Sequence, residues 1–152
     1  MYILLLLRWL ALCVMVAVAG CAQRNSCREI ISTPHAPAAI GPYSQAVRCG
    51  NLLFLAGQLP IDPQTDQLMA TGTIEEQTAL VIENLRAVLE AGGMTLADVV
   101  STQVFMQDLD EFPRMNAVYG TFFAENPPAR ATVEVARLPR DVKIEIAAIA
   151  AR

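Results

Sequence analysis

Two stretches of this chain, Leu52–Ala56 and Ile144–Ala150, read as strands that are apolar on both faces. A strand of that kind has no side it can give to water. The chain carries only two helical patterns, and two helices cover one side of a sheet. The other side must also be hidden, or it would stand as a large exposed apolar patch. A symmetric oligomer packing these sheets together is the simple answer. Glu145 interrupts the second stretch. A carboxylate there is costly unless it is paired or has chemistry to perform.

The remaining elements follow from local signals. Arg28–Ser32 and Ser44–Arg48 read as strands, the second closed by a tight turn at Cys49-Gly50-Asn51. Between them, residues 33–42 contain three prolines and form a rigid extended loop. The lone histidine, His35, lies in that loop, with no ligand partner nearby, and reads as solvated. Gln58–Gly72 is read as loop. Thr73 and Glu76 have capping-box spacing, and Ile74, Thr78, Val81, Ile82, Leu85, Val88 and Leu89 recur at helical period until Gly92-Gly93. Val99–Met106 is a strand. Asp110 is the expected cap of a second helix, with Pro113 in its first turn and Met115, Val118, Phe122 and Phe123 on its buried face. Asn126-Pro127-Pro128 stops it. Ala131–Ala136 and Lys143–Ala150 are the last strands. The order β-β-β-α-β-α-β-β predicts an α+β domain with a mixed sheet and two helices on one face.

The apolar fraction of 54% is concentrated at the front, where Met1–Ala19 is broken only by Arg8. Trp9–Ala19 has the length of the apolar region of a secretory signal and is too short to span a bilayer, which takes about 20 residues. Val18-Ala19-Gly20-Cys21 resembles the lipobox of bacterial lipoproteins, which implies lipidation of Cys21 and a membrane contact through that anchor. Tyr2–Leu7 stands before the positive charge, where a charged region is normal; a mis-called start codon or an uncleaved anchor helix would account for it. Ala22 after the cysteine favours the outer membrane. The division is therefore 1–20 signal, 21–27 tether and 28–152 globular domain. Of the other cysteines, Cys27 and Cys49 are either two thiols or a bridge.

Without Arg8 the chain from Cys21 onward has ten cationic side chains against fifteen carboxylates, a net −5. It has no basic run or stripe, which disfavours nucleic-acid binding. No Cys/His cluster has metal spacing, no glycine-rich phosphate loop appears, and Lys143 is the sole lysine. No cofactor is expected. What remains is a pairing of chemistry in two strands. Pro128 to Arg137 sets Arg130 at the mouth of a strand that reads as buried, and Glu145 lies in the strand that follows. A guanidinium stays charged and grips a carboxylate with two parallel hydrogen bonds. Beside a buried carboxylate, it defines a pocket that clamps a small carboxylic acid and handles a proton or a water. The alternative is that Glu145 simply pairs with Lys143 or with an arginine.

Four blocks then carry a family resemblance: Ala38–Ala46, Ala56–Pro60, Phe105–Leu109 with Met115–Tyr119, and Pro128–Ala150. Over roughly Ile30–Arg152 the chain resembles the reactive intermediate deaminase (Rid) family, in its imine/enamine deaminase subgroup. The resemblance implies a six-stranded sheet with two helices, assembled as a homotrimeric barrel with sites between subunits. It implies that Arg130 binds the substrate carboxylate and Glu145 positions the attacking water. Tyr43, Gly57, Asn116 and Thr132 would complete the substrate-binding set. The reaction it implies is hydrolysis of a 2-imino acid to a 2-keto acid and ammonia. Two positions depart from the subgroup: Ala56 replaces a common serine, and Thr132 a common cysteine. The alternatives are a non-catalytic keto-acid-binding module and a chaperone-like holdase at the cell envelope.

Overall fold

The computed structural model describes residues 28–152. The signal, the lipobox Cys21, the tether and Cys27 of the candidate bridge lie outside the described residues. Among the described residues, eight strands and two α-helices follow in order: β1 Glu29–Ile31, β2 Ala46–Cys49, β3 Leu52–Gln58, β4 Ile61–Asp62, β5 Gln67–Leu68, α1 Ile74–Ala91, β6 Val99–Met106, α2 Phe112–Phe122, β7 Ala129–Glu134 and β8 Ile144–Ala151. Six strands form one sheet in the order β1-β2-β3-β8-β6-β7. Every pair is antiparallel except β6 with β7. The α+β architecture with a mixed six-stranded sheet is the one expected.

Helix α1 starts where its sequence says it should. The Thr73 hydroxyl accepts the Glu76 amide at 3.3 Å, and Glu76 Oε2 accepts the Thr73 amide at 2.8 Å, so two orphan donors are satisfied at once. Its inner face buries Ile74, Val81, Ile82, Leu85, Val88 and Leu89 against Leu53, Leu55, Ile144, Ile146 and Ala148 of the sheet. Gly93 takes φ +66°, which glycine adopts without strain, and turns the chain out of the helix.

Helix α2 differs from expectation at its start. Asp108, not Asp110, supplies the capping carboxylate: its Oδ1 accepts the Asp110 amide at 2.8 Å and opens a short 3₁₀ turn over Leu109–Glu111. The helix proper begins at Phe112, with Pro113 in its first turn. Met115, Tyr119 and Phe123 are its buried side chains, while Val118 and Phe122 are only half-buried. The predicted loop Gln58–Gly72 holds the small β4–β5 hairpin. Asn84 of α1 donates to the Leu59 and Ile61 carbonyls, and Gln77 donates to the Met69 carbonyl at 2.8 Å, which anchors this excursion to the helix.

On the other side of the sheet, Ile30, Val47, Phe54 and Ile149 stand in register across β1, β2, β3 and β8. Neither helix covers this face, and Phe54 is 43% exposed. The apolar second face inferred from the sequence is therefore real and lies open in the single chain. Strand β7, read as buried, is instead an edge strand: Ala129, Ala131, Val133 and Glu134 are exposed. It begins two residues earlier than predicted, so Arg130 lies within it.

Candidate functional site

Strand register decides which site residues share a face. Thr102 of β6 is paired with Arg130, and Phe105 of β6 with Glu145. Residues three apart on a strand point to opposite faces. Arg130 therefore faces the helices, while Glu145 faces the uncovered side. Within one chain the two residues that carry the proposed chemistry are separated by the sheet itself.

On the helix side Arg130 is held from three directions. Its Nη2 donates to Asn116 Oδ1 at 2.7 Å. Its guanidinium lies 4.5 Å from the Tyr119 ring centroid and 5.5 Å from that of Phe112. Asn116 and Tyr119 are three residues apart and share one face of α2. The Tyr119 hydroxyl is hydrogen-bonded to Thr102 Oγ1 at 2.8 Å, so the platform under the arginine is fixed to the core. Burial pushes the Tyr119 phenol pKa up, and the hydrogen bond with Thr102 and the Arg130 charge offset part of that. Among the described residues no carboxylate pairs with Arg130. Its charge is oriented but not neutralised.

Thr132 sits on the same face of β7, two residues on, and its hydroxyl is buried without a hydrogen-bond partner. The Val135 amide donates to the Met106 carbonyl at 2.9 Å. In a parallel ladder alternate peptide groups point towards the neighbouring strand, so those of Arg130 and Thr132 point away from the sheet. A free edge amide next to a fixed guanidinium is a place for an anion. Asn116 acts here by orienting Arg130.

The uncovered side holds the second group. Glu145 makes no hydrogen bond or ion pair among the described residues. Lys143, its alternative partner from the sequence, bonds instead to Glu111 at 2.9 Å. Burial raises the Glu145 pKa above the ordinary carboxylate value. Its carboxyl lies directly over Gly57: a Cβ at Gly57 would overlap Oε1 and stand 2.8 Å from Cδ. Gly57 lies where the β3–β8 register shifts between Leu55 and Gln58. The close approach that requires glycine here is thus made by Glu145. Tyr43, 52% exposed, lines a cleft with Gly57, Gln58, Ile40 and Gln45. Gln45 fixes the loop that carries Tyr43, because its Nε2 donates to the Thr33 and Pro37 carbonyls at 3.0 and 2.8 Å.

The site residues thus form two half-sites. Arg130, Asn116 and Thr132, with Tyr119 and Phe112 beneath, make a cation-bearing half on the helix side. Tyr43, Gly57 and Glu145 make an acid-bearing half on the other. Tyr119, Phe112 and Thr102 were not identified from sequence; the three-residue spacing of Asn116 and Tyr119 on one helix face was the available signal.

An α+β sheet with an anion-receptive edge strand and an isolated carboxyl over a glycine defines a class of small-ligand-binding domain. Residues 33–152 match the family described as Endoribonuclease L-PSP, and the chain belongs to this family, the Rid family. It is 48% identical over 127 residues to the 2-iminobutanoate/2-iminopropanoate deaminase of Escherichia coli K12, covering 82% of this chain and 98% of the relative. It is 53% identical over 123 residues to a RutC family protein of Pyrococcus horikoshii, covering 81% and 97%. Among solved structures, Escherichia coli TdcF with bound serine superposes with a TM-score of 0.78 at 43% identity, covering 82% of this chain and 98% of that one. RidA from the Antarctic bacterium Psychrobacter sp. PAMC 21119 superposes with a TM-score of 0.79 at 43% identity, covering 82% and 100%.

Proposed function

We propose that the chain hydrolyses reactive 2-imino acids such as 2-iminopropanoate and 2-iminobutanoate to the 2-keto acid and ammonia. The observation that carries this reading is Glu145: a half-buried carboxyl with no partner among the described residues, held against Gly57, which lines a cleft with Tyr43. A buried acid without a structural partner is an acid available for chemistry. The similarity to a 2-iminobutanoate/2-iminopropanoate deaminase supports the same reaction. That a relative was solved with serine bound supports a ligand of amino-acid size.

The site is complete only when Arg130 of one copy meets Glu145 of another. We propose a homotrimer, closed through the uncovered sheet faces, as the assembly that does this. Arg130 and the Thr132 edge amide then fix the substrate carboxylate and turn an encounter into an oriented one. Water adds to the imine carbon, and its proton passes to the Glu145 carboxylate. Glu145 returns the proton to the nitrogen of the tetrahedral adduct. Glu145 then takes the hydroxyl proton of this carbinolamine and passes it to the amino group, so that the carbon–nitrogen bond breaks as the carbonyl forms and ammonia leaves. A raised pKa suits a group that must both take and give a proton near neutral pH.

The test is turnover of freshly generated 2-iminobutanoate. Arg130→Ala should reduce the acceleration by about 100-fold or more, and near-normal turnover by that variant would sink the reading. Tight binding of 2-oxobutanoate with no acceleration by the parent would favour a metabolite-binding module. Suppression of aggregation that does not depend on Arg130 would favour a holdase.

Export as a lipoprotein anchored at Cys21, with the domain on the periplasmic face of the envelope, belongs to the same proposal. The full chain expressed in a bacterial host should incorporate labelled palmitate, and Cys21→Ala should not.

A further inference from the structure

We propose that Arg140 reads the far end of the substrate and fits the site to imino acids bearing a second acidic group. This rests on the deaminase reading above. The cleft that holds Tyr43 and Gly57 is bounded by Arg140 and Asp66. As one chain forms it, the cleft encloses about 30 Å³, the share of one water molecule. Glu145 does not line the cleft but packs over its Gly57, so a ligand presented to Glu145 meets this cleft at its mouth. Both Arg140 and Asp66 are exposed there.

The backbone is bent to put them in place. Arg140 takes φ +59° and Asp141 φ +57°, two consecutive non-glycine residues in the left-handed region. Such a conformation costs energy and persists only where its surroundings hold it. The Arg137 guanidinium holds this one by a two-point grip on the Asp141 carboxylate at 2.6 and 2.9 Å. With Arg137, five guanidiniums are committed to carboxylates among the described residues: Arg48 to Glu29, Arg86 to Glu83, Arg114 to Glu75, Arg137 to Asp141 and Arg152 to Asp98. Arg140 makes no hydrogen bond or ion pair among the described residues. The turn sets its backbone at the mouth of the cleft, and its cation is left for a visitor.

With the substrate 2-carboxylate on Arg130 of a neighbouring copy and the imine carbon at Glu145, the substrate side chain runs out past Arg140. A neutral side chain gains nothing from that charge, whereas a carboxylate gains a charge-assisted hydrogen bond. Asp66, also left-handed at φ +56°, stands at the same mouth and opposes a second carboxylate. The selectivity is the balance of the two.

The experiment compares kcat/KM of the assembled protein for 2-iminoglutarate and for 2-iminobutanoate, each generated in place from its amino acid by an oxidase. Arg140→Gly removes the cation and leaves the turn intact, because glycine accepts a positive φ without strain. It should lower the ratio of acidic to neutral substrate about tenfold. Arg140→Lys should retain most of the ratio, and Asp66→Asn should raise it. A protein active on 2-iminobutanoate whose ratio stays within about twofold in Arg140→Gly overturns this assignment alone. A parent that accelerates neither substrate overturns it together with the deaminase reading.

Discussion

The Glu145 carboxyl occupies the space in which a side chain at Gly57 would begin. The glycine is therefore part of the acid's position, and adding a methyl group there is a displacement experiment. Gly57→Ala should push Glu145 aside by an ångström or more and cut kcat about 100-fold, since misplacement of that size is enough to lose alignment. The same change overpacks the sheet and should cost roughly 1–3 kcal/mol in denaturant unfolding. Unchanged kcat in Gly57→Ala would show that the acid's place over the glycine is unimportant.

Arg130 and Glu145 face opposite sides of one sheet, so inactive variants of each should rescue one another when mixed. In trimers reassembled from equal amounts of Arg130→Ala and Glu145→Gln, about a quarter of the sites draw both intact residues from different chains. Activity on 2-iminobutanoate should recover to about that fraction of the parent. Absence of any recovery after verified reassembly would mean that each site is built within one chain.

Burial keeps Glu145 protonated to higher pH in the native state than in the unfolded chain. Between those two values the native state binds more protons, so this group makes stability fall as pH rises through the window. Glu145→Gln removes the titration. Its gain in Tm over the parent should be larger at about pH 7 than at about pH 4. An equal gain at the two pH values, read by calorimetry, would contradict a raised pKa. The kcat/KM of the parent should in turn fall on the acid side with a midpoint above the ordinary glutamate value of about 4.3.

The Tyr119 ring supports the Arg130 charge, and the Tyr119 hydroxyl ties the ring to Thr102. Tyr119→Phe keeps the ring and leaves a buried threonine hydroxyl unpaired, at about 1–3 kcal/mol of stability with KM little changed. Tyr119→Leu removes the ring and should raise KM roughly threefold to tenfold, from the loss of a cation–π contact worth about 1 kcal/mol. Equal KM values for the two variants would show that the ring does not hold the arginine.

Local signals were legible in the sequence and cross-strand ones were not. The Thr73 capping box and the apolar period of α1 involve residues within two turns of each other, and the helix formed as read. Gln77 and Asn84 escaped notice because their partners are loop carbonyls reached only after folding. Asp108 rather than Asp110 capped the next segment because a single 3₁₀ turn precedes the helix, and both aspartates fit the spacing. The identities of Arg130 and Glu145 as functional candidates could be read from charge in an apolar setting. Their opposed directions could not, because face depends on the register of β6 against two different strands. The footing of Arg130 on Tyr119 was hidden for the same reason, since a helix and a strand must pack before the ring and the charge meet.

The outward peptide groups of β7 have a further effect. A bare strand edge with small side chains at Ala129, Ala131 and Val133 is an invitation to recruit foreign strands and to seed aggregation. In the proposed homotrimer a neighbouring copy would shield that edge. Loss of the neighbour would then take solubility and the proposed catalysis away together, so a detached protomer would be a hazard as well as idle.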